Sequence, residues 1–287
     1  MNLDMIWAIY KIDYKLFIYY CSMLKLLDWI DINNLDWNIL SLNPNAIRLL
    51  NDNLDKINWN WLCLNPNAIG LLKQYPDSIN WRYLSKNPNA IELLKQYPDK
   101  IYWRYLSENP NAIELLKQYP DRINWVGLSV NPNAIELLKE NPDKICWSLL
   151  SLNTNAIELL KQYPDSINWL YLSENPNAIE ILKQFPDKIC WRLLSLNPNA
   201  IELLKENPDS IKWNLLSLNP NAIELLRENL DEISWYNLSF NQSIFEYDYV
   251  KMYETTSIFK EELMQKVFHP KRFERYLNEF RYDMSDL

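Results

Sequence analysis

The chain is poor in glycine, histidine and paired cysteine, and these shortages exclude several kinds of active site. Only two glycines, Gly70 and Gly127, occur among 287 residues, so neither common glycine-rich phosphate loop can be present. His269 is the single histidine, and the four cysteines include no close pair of the kind that binds zinc. We therefore predict no catalytic residues, no metal site and no cofactor, and conclude that the protein is not an enzyme.

Long apolar runs and an excess of positive charge are also missing. The net charge of −8 opposes binding to phosphate backbones and anionic lipid. Residues 16–24 are rich in apolar side chains, but a membrane span needs about 18 to 20 such residues. No small-residue cleavage site follows this stretch, which argues against a signal peptide. We predict an intracellular, reduced environment, no secretion and no membrane partner.

What the sequence does contain is a repeat of 22 residues. Tryptophan recurs at this spacing, and each tryptophan is followed three residues later by leucine and six residues later by asparagine. Self-similarity at one fixed period marks an array of structural units. We assign a structural role in the core to the ten repeated tryptophans. They are Trp37, Trp59, Trp81, Trp103, Trp125, Trp147, Trp169, Trp191, Trp213 and Trp235.

Residues 81–102 illustrate the helix signals in one repeat. Asn87, with proline after it, can cap a helix, because proline is favoured at the first helical position. Alternatively, Asn89 and Glu92 have the spacing of a capping box. Pro98 ends this helix, since its ring cannot continue one. Asp99 is then predicted to cap a second helix, which contains the next tryptophan.

Two helices of about 8 to 9 residues per repeat are too short to persist alone, so stacking must stabilise them. We predict an all-α, right-handed α-solenoid of ten two-helix repeats over residues 35–243. An N-terminal helical cap (1–34) and a C-terminal helical capping module (244–287) would cover its open ends. At about 8 to 10 Å per packed layer, the array would span on the order of 90 Å.

A leucine-rich-repeat-like horseshoe is the alternative fold, because its period also falls in the range of about 20 to 29 residues. That motif needs an apolar residue directed inward at the position five residues after the tryptophan. Lys86, Glu108 and Glu174 occupy this position in three repeats. The charged residues favour the α-solenoid.

The residue that follows each tryptophan varies from repeat to repeat, which is typical of a binding surface or of neutral drift on a solvated face. The candidate partner-binding residues are Arg82, Arg104, Val126, Ser148, Leu170, Arg192 and Asn214. We predict a monomeric, non-enzymatic scaffold for protein–protein interaction, with an unknown protein partner. The alternative is a modular reader of single-stranded nucleic acid with one repeat per base. The three arginines motivate it, but the residues between them and the net charge make nucleic acid the less favoured partner.

The repeat also resembles a known group of proteins. The segments Asn-Pro-Asn-Ala-Ile-Glu-Leu-Leu-Lys and Ile-Asn-Trp-x-x-Leu-Ser resemble the short-repeat proteins of mimivirus-like giant DNA viruses. Residues 245–249, 261–263 and 268–272 resemble the terminal module of the same proteins. The resemblance implies a viral protein that acts in host cytoplasm or in the virion. That family has no established activity, so it supplies no functional residues.

Cys146 and Cys190 occupy the same repeat position two repeats apart. Two packed layers would separate them by about 20 Å. A disulfide requires Cα atoms within about 7 Å. We therefore predict that both are free thiols.

Overall fold

The computed structural model describes residues 24–251 and residue 253. The chain divides into two compact units, of which the larger is Leu26–Phe245. The smaller consists of Met1–Lys25 and Glu246–Leu287. Short helices in a regular order fill the larger unit, so the predicted all-α repeat array is confirmed. Cys21, His269 and most of the two predicted caps lie outside the described residues.

Each repeat, numbered 1 to 10 from Trp37, begins with a short α-helix that we call the Trp helix. In six of the ten repeats the side chain of the residue before the tryptophan caps it. In repeat 5, for example, the Asn124 Oδ1 atom accepts a hydrogen bond of 2.8 Å from the backbone N–H of Gly127. The predicted cap, Asp99, instead lies inside a 3-10 turn, Pro98–Lys100, and two extended residues separate that turn from the Trp helix. The ten Trp helices are Trp37–Leu40, Trp59–Leu62, Trp81–Leu84, Trp103–Leu106, Trp125–Ser129, Trp147–Leu150, Trp169–Leu172, Trp191–Leu194, Trp213–Leu216 and Trp235–Leu238.

A second α-helix, the Ile helix, follows the Asn-Pro-Asn segment. In repeat 3 the Asn87 Oδ1 atom accepts a hydrogen bond of 2.9 Å from the N–H of Asn89, which confirms the cap that precedes proline. The alternative capping box does not form, since Glu92 makes an exposed ion pair with Lys95 at 2.7 Å. Nine Ile helices are described: Ile47–Asn51, Ile69–Gln74, Ile91–Gln96, Ile113–Gln118, Ile135–Lys139, Ile157–Gln162, Ile179–Gln184, Ile201–Lys205 and Ile223–Arg227.

A single 3-10 turn precedes each Trp helix and seven of the nine described Ile helices, those of repeats 6 and 8 being the exceptions. Those of the Asn-Pro-Asn segment are Pro44–Ala46, Pro66–Ala68, Pro88–Ala90, Pro110–Ala112, Pro132–Ala134, Pro176–Ala178, Pro220–Ala222 and Gln242–Ile244. Those before the Trp helices are Ile32–Asn34, Leu54–Lys56, Pro76–Ser78, Pro98–Lys100, Pro120–Arg122, Pro142–Lys144, Pro164–Ser166, Pro186–Lys188, Pro208–Ser210 and Leu230–Glu232. The prediction was two helices of about 8 to 9 residues per repeat. Instead, each is a shorter α-helix, in most cases with a 3-10 turn before it, which adjoins the Ile helix but is separated from the Trp helix by two residues.

The fully buried core of each repeat is small and is made by leucine and alanine. In repeat 3 it contains Leu84, Ala90 and Leu94, and the matching positions of the neighbouring repeats are buried in the same way. The tryptophans are only partly buried in all ten repeats. Trp81, for example, packs its ring against Tyr97, with 5.0 Å between the ring centroids. The tryptophans therefore form a belt at the edge of the core.

Buried asparagines connect successive repeats. Asn131 lies six residues after its tryptophan and is fully buried. Its Nδ2 atom donates to two carbonyl oxygens of the preceding repeat, those of Ser107 at 3.1 Å and Asn109 at 2.8 Å. Its Oδ1 atom accepts from the N–H of Asn133 at 3.0 Å. Every repeat has this asparagine with the same bonds, so the amide side chains satisfy backbone groups that would otherwise be buried and unpaired.

A buried serine connects the two halves of each repeat. The Ser107 Oγ atom donates to the carbonyl oxygen of Trp103 and accepts from the N–H of Asn124, both at 2.9 Å. Cys63 replaces this serine in repeat 2, where its Sγ atom accepts from the N–H of Asn80 at 3.2 Å. Burial raises the pKa of the Cys63 thiol. Cys146 and Cys190, which were predicted to be free thiols, are both free, as is Cys63.

Repeat 10 is completed by a segment from the other end of the chain. Strand β1, Leu24–Leu26, pairs with strand β2, Phe245–Tyr247, which stands where other repeats have an Ile helix. The turn Ile32–Asn34 lies 22 residues before the matching turn of repeat 1 and supplies the turn that repeat 10 lacks. The N–H of Asp36 then donates to Ser239 Oγ at 2.8 Å, the same bond that connects the two halves of other repeats.

The first repeat is joined to the tenth as any repeat is joined to the one before it. The Asn43 Nδ2 atom donates to the carbonyl oxygens of Ser239 at 3.1 Å and Asn241 at 3.0 Å. The Asn45 Nδ2 atom donates to the carbonyl oxygen of Gln242 at 2.9 Å. The larger unit is therefore a closed ring of ten repeats, in which each repeat turns the chain by a tenth of a circle.

This closure corrects the predictions of open ends and of an array on the order of 90 Å long. A ring has no terminal apolar face, so repeats 1 and 10 cover each other. The described part of the predicted N-terminal helical cap contains β1 and a 3-10 turn instead of a capping helix. In the described part of the smaller unit, Lys25 pairs with Glu246 at 3.1 Å and helical residues begin at 249.

The variable row and the pocket inside the ring

The residues that follow the ten tryptophans form an exposed row, which we call the variable row. All ten are exposed, whereas the leucine two residues further along is fully buried in every repeat. The row therefore includes all seven candidate partner-binding residues. Its large apolar members are Val126, Leu170 and Tyr236, with exposed fractions of 51%, 49% and 59%. Burial cannot explain these three residues, because their side chains point away from the core.

The three arginines of the row are not equivalent. The Arg82 Nε atom donates to the Tyr105 hydroxyl oxygen at 2.8 Å, and its guanidinium carbon lies 4.9 Å from the centroid of the same ring. This hydrogen bond raises the pKa of Arg82, which stays charged. Arg104 and Arg192 have no hydrogen bond or ion pair to another residue of the described segment. Only these two arginines keep their guanidinium groups available for a ligand.

A pocket of about 540 Å³ lies inside the ring, and we call it the axis pocket. Its lining comes from repeats 3 to 7, which is half of the ring, and includes Arg104, Val126, Val130, Leu152 and Glu174. Five consecutive repeats of a closed ring can share one pocket only where their side chains converge toward the ring axis. Two members of the variable row, Arg104 and Val126, therefore border the inner surface of the ring.

Gly127 opens the axis pocket. Most other repeats have tyrosine, leucine, isoleucine or tryptophan two residues after the repeated tryptophan, and Gly127 is the one residue there without a side chain. A Cβ atom added to Gly127 would lie 3.0 Å from the carbonyl oxygen of Arg104 and 3.1 Å from the Cγ atom of Glu108. Glycine thus permits a close approach between repeats 4 and 5 and leaves space for the pocket.

Charged residues are distributed unevenly around the axis pocket. At the end formed by repeats 3 and 4, Lys86 pairs with Glu108 at 2.8 Å, and Arg104 adds a positive charge that has no partner among the residues that the structure describes. At the end formed by repeat 7, the Glu174 carboxylate has no hydrogen-bond or ion-pair partner within residues 24–251. Burial raises the pKa of Glu174. Val126, Val130, Leu149 and Leu152 form an apolar wall between the two ends.

The structure brings together only part of the predicted site. Arg104 and Val126 line the axis pocket, whereas Ser148, Leu170, Arg192 and Asn214 do not. Glu174, Gly127 and Val130 were not among the predicted site residues. Their signal in the sequence is a departure from the repeat consensus: a glycine among bulky residues, and a carboxylate where six repeats have leucine or valine.

The Glu174→Gln variant should have a higher thermal unfolding midpoint than the natural protein at pH 7. The raised pKa means that ionised Glu174 is less stable in the folded state than in the unfolded state. Lowering the pH through this raised pKa neutralises the carboxyl group and removes the cost, so the difference between the two proteins should shrink as the solution becomes acidic. Thermal melts at pH 7 and pH 4 measure it. A lower midpoint for Glu174→Gln at pH 7 would show that the ionised carboxylate is stabilising.

In comparisons with protein-family models, curated proteins and solved structures, no match to this chain was found. Among residues 24–251 and 253, no helix combines the length and the apolar content that crossing a membrane requires.

Proposed function

We propose that the protein is a non-enzymatic scaffold that binds a protein partner through the variable row. The observation that carries the proposal is the contrast within the Trp helix. The buried position is leucine in all ten repeats, while the exposed position two residues earlier holds apolar, polar or basic residues in different repeats. A closed array of similar repeats with a variable exposed row offers a rigid surface that can match one particular partner.

A protein is a better candidate than a single-stranded nucleic acid. Nucleic-acid binding would require a row of basic side chains that neutralise phosphates. Arg82 is engaged by Tyr105, and Val126 and Leu170 interrupt the row with exposed apolar side chains. Apolar residues surrounded by polar ones are typical of protein interfaces. The net charge of −8 also favours a protein partner.

A bait carrying Leu170→Ser, Arg192→Ser and Tyr236→Ser should lose the partner that the natural protein retains. These residues are exposed members of the row and do not line the axis pocket. The resemblance to giant-virus proteins suggests capture from infected cells, followed by mass spectrometry. Calorimetry with the purified partner should then show affinity weakened by about tenfold or more, since tyrosine and arginine are enriched among the interface residues that dominate binding energy.

The matched control carries Glu158→Ser, Glu180→Ser and Glu202→Ser in three exposed Ile helices. It should bind the partner as tightly as the natural protein. Equal affinity for the row variant would contradict the proposal. So would binding of single-stranded RNA or DNA at about 150 mM salt that weakens steeply as salt is added, because that behaviour marks phosphate contacts.

A further inference from the structure

The axis pocket has a polarity of its own, to which the variable row contributes only Arg104 and Val126. Its lining has a net positive charge at repeats 3 and 4, an apolar wall at repeats 5 and 6, and an unpaired carboxylate at repeat 7. At about 540 Å³ it falls within the size range of ligand-binding pockets, about 300 to 1,000 Å³. Glu174 is half-buried and Arg104 is exposed. A partly buried charge without a partner is costly, so a ligand that pairs with Glu174 gains more than one bound at an exposed carboxylate.

The distance between the charged ends selects the size of the ligand. Aromatic rings at the matching inner position of neighbouring repeats lie 6.0 Å apart (Trp61 and Tyr83) and 6.4 Å apart (Tyr83 and Tyr105). Arg104 and Glu174 belong to repeats 4 and 7, three such steps apart. Three steps span on the order of 15 Å, the length of about four to five residues of extended chain. A free amino acid, whose two charges are attached to one carbon, cannot reach both ends.

We propose that the axis pocket binds an extended peptide segment with an acidic residue at one end, a basic residue at the other and apolar residues between them. The acidic side chain pairs with Arg104, and the basic side chain pairs with Glu174. The apolar side chains pack on Val130 and Leu152. This inference rests on the proposed function, because it specifies the chemistry of the partner segment that enters the ring.

Synthetic pentapeptides test the proposal by calorimetry with the full-length protein. The probe is acetyl-Glu-Leu-Ala-Leu-Lys-amide, and its neutral counterpart is acetyl-Gln-Leu-Ala-Leu-Gln-amide. The charged peptide should bind at least about tenfold more tightly than the neutral one, which is the usual scale for charge-assisted hydrogen bonds. Glu174→Gln and Arg104→Gln should each remove most of that advantage.

A steric variant tests the position of the peptide without changing any charge. Val130→Phe places a bulky ring in the pocket, and phenylalanine is natural at the matching position of repeat 10, Phe240. This variant should abolish binding of the charged peptide. The matched controls are Leu218→Phe, at the same repeat position as Val130, and Glu158→Gln, which alters the same residue type as Glu174→Gln; both lie away from the pocket. Leu218→Phe and Glu158→Gln should bind the peptide as the natural protein does, and so should Arg122→Gln, the control for Arg104→Gln, because Arg122 is exposed and lies outside both the pocket and the variable row.

Several results would overturn the inference. They are no binding of the charged peptide, equal binding of the neutral peptide, unchanged binding by Val130→Phe, or tighter binding of free lysine or glutamate than of the peptide. The proposed function is tested separately, since Leu170, Arg192 and Tyr236 lie outside the pocket lining. If the row variant loses the partner but Glu174→Gln has no effect on the peptide, only the pocket proposal fails. If the peptide binds as expected but the row variant still binds the partner, only the proposed function of the variable row fails.

Discussion

Asn131→Ala should lower the free energy of unfolding by about 3 kcal/mol or more, because each buried polar group left without a partner costs about 1 to 3 kcal/mol. The substitution removes the hydrogen bonds of the Ser107 carbonyl oxygen and of the Asn133 N–H, and one of the two bonds of the Asn109 carbonyl oxygen, which keeps the bond from the N–H of Ala112. Urea unfolding measures the loss. Hydrogen exchange should also become faster at the interface of repeats 4 and 5, with a smaller effect in distant repeats, since repeats couple mainly to their neighbours.

The matched control for this prediction is Asn133→Ala. Asn133 is exposed, and its Nδ2 atom donates only to the carbonyl oxygen of Pro110 at 2.9 Å. Water can replace that bond, so the expected cost is below about 1 kcal/mol. Equal losses for the two variants would show that the buried asparagine bonds are not what holds successive repeats together.

Asn43→Ala should destabilise the protein as much as Asn131→Ala does, by about 3 kcal/mol or more. In an open array, the side chain of the first asparagine would face water, and its removal would have little effect. In the closed ring it donates to the carbonyl oxygens of Ser239 and Asn241, almost two hundred residues away in the sequence. The same urea unfolding experiment measures the effect. The control is Asn45→Ala, which removes the same kind of bond as Asn133→Ala and should have a similarly small effect.

Hydrogen exchange provides a second readout of closure. Amides at the interface of repeats 1 and 10 should be protected in the natural protein to the same degree as those at the interface of repeats 4 and 5. Asn43→Ala should increase exchange on both sides of that junction together. Fast exchange in repeats 1 and 10 of the natural protein, with little effect from Asn43→Ala, would indicate that the array is open in solution.

Much of the local structure could be predicted because it depends on neighbours in the sequence. Asn87 caps a helix because the following proline has no N–H to lose and already holds a helical φ angle. Glu92 and Lys95 pair because they lie one turn apart on an exposed face. The cap at Asp99 was wrong because Asp99 lies inside a 3-10 turn, and two extended residues, Ile101 and Tyr102, separate that turn from the Trp helix.

The candidate site was only partly predictable. The exposure of the variable row follows from repeat phase, since it lies on the face of the Trp helix opposite the buried leucine. The axis pocket does not follow, because its lining is collected from five repeats that meet only around the ring. Glu174 and Gly127 differ visibly from the consensus, but their placement in one pocket depends on the curvature of the array.

The sequence by itself determined the period, the short helices, their caps and the buried leucine and alanine, since these depend on residue types a few positions apart. The tertiary structure alone decided closure. Curvature accumulates from a small rotation at each interface between repeats. At these interfaces the 3-10 turns of the Asn-Pro-Asn segments pack more closely than the Ile helices do. No motif encodes the sum of ten such rotations. Because that sum completes a circle, β1 meets β2, Asn43 meets Asn241, and a chain that reads as an open solenoid forms a ring.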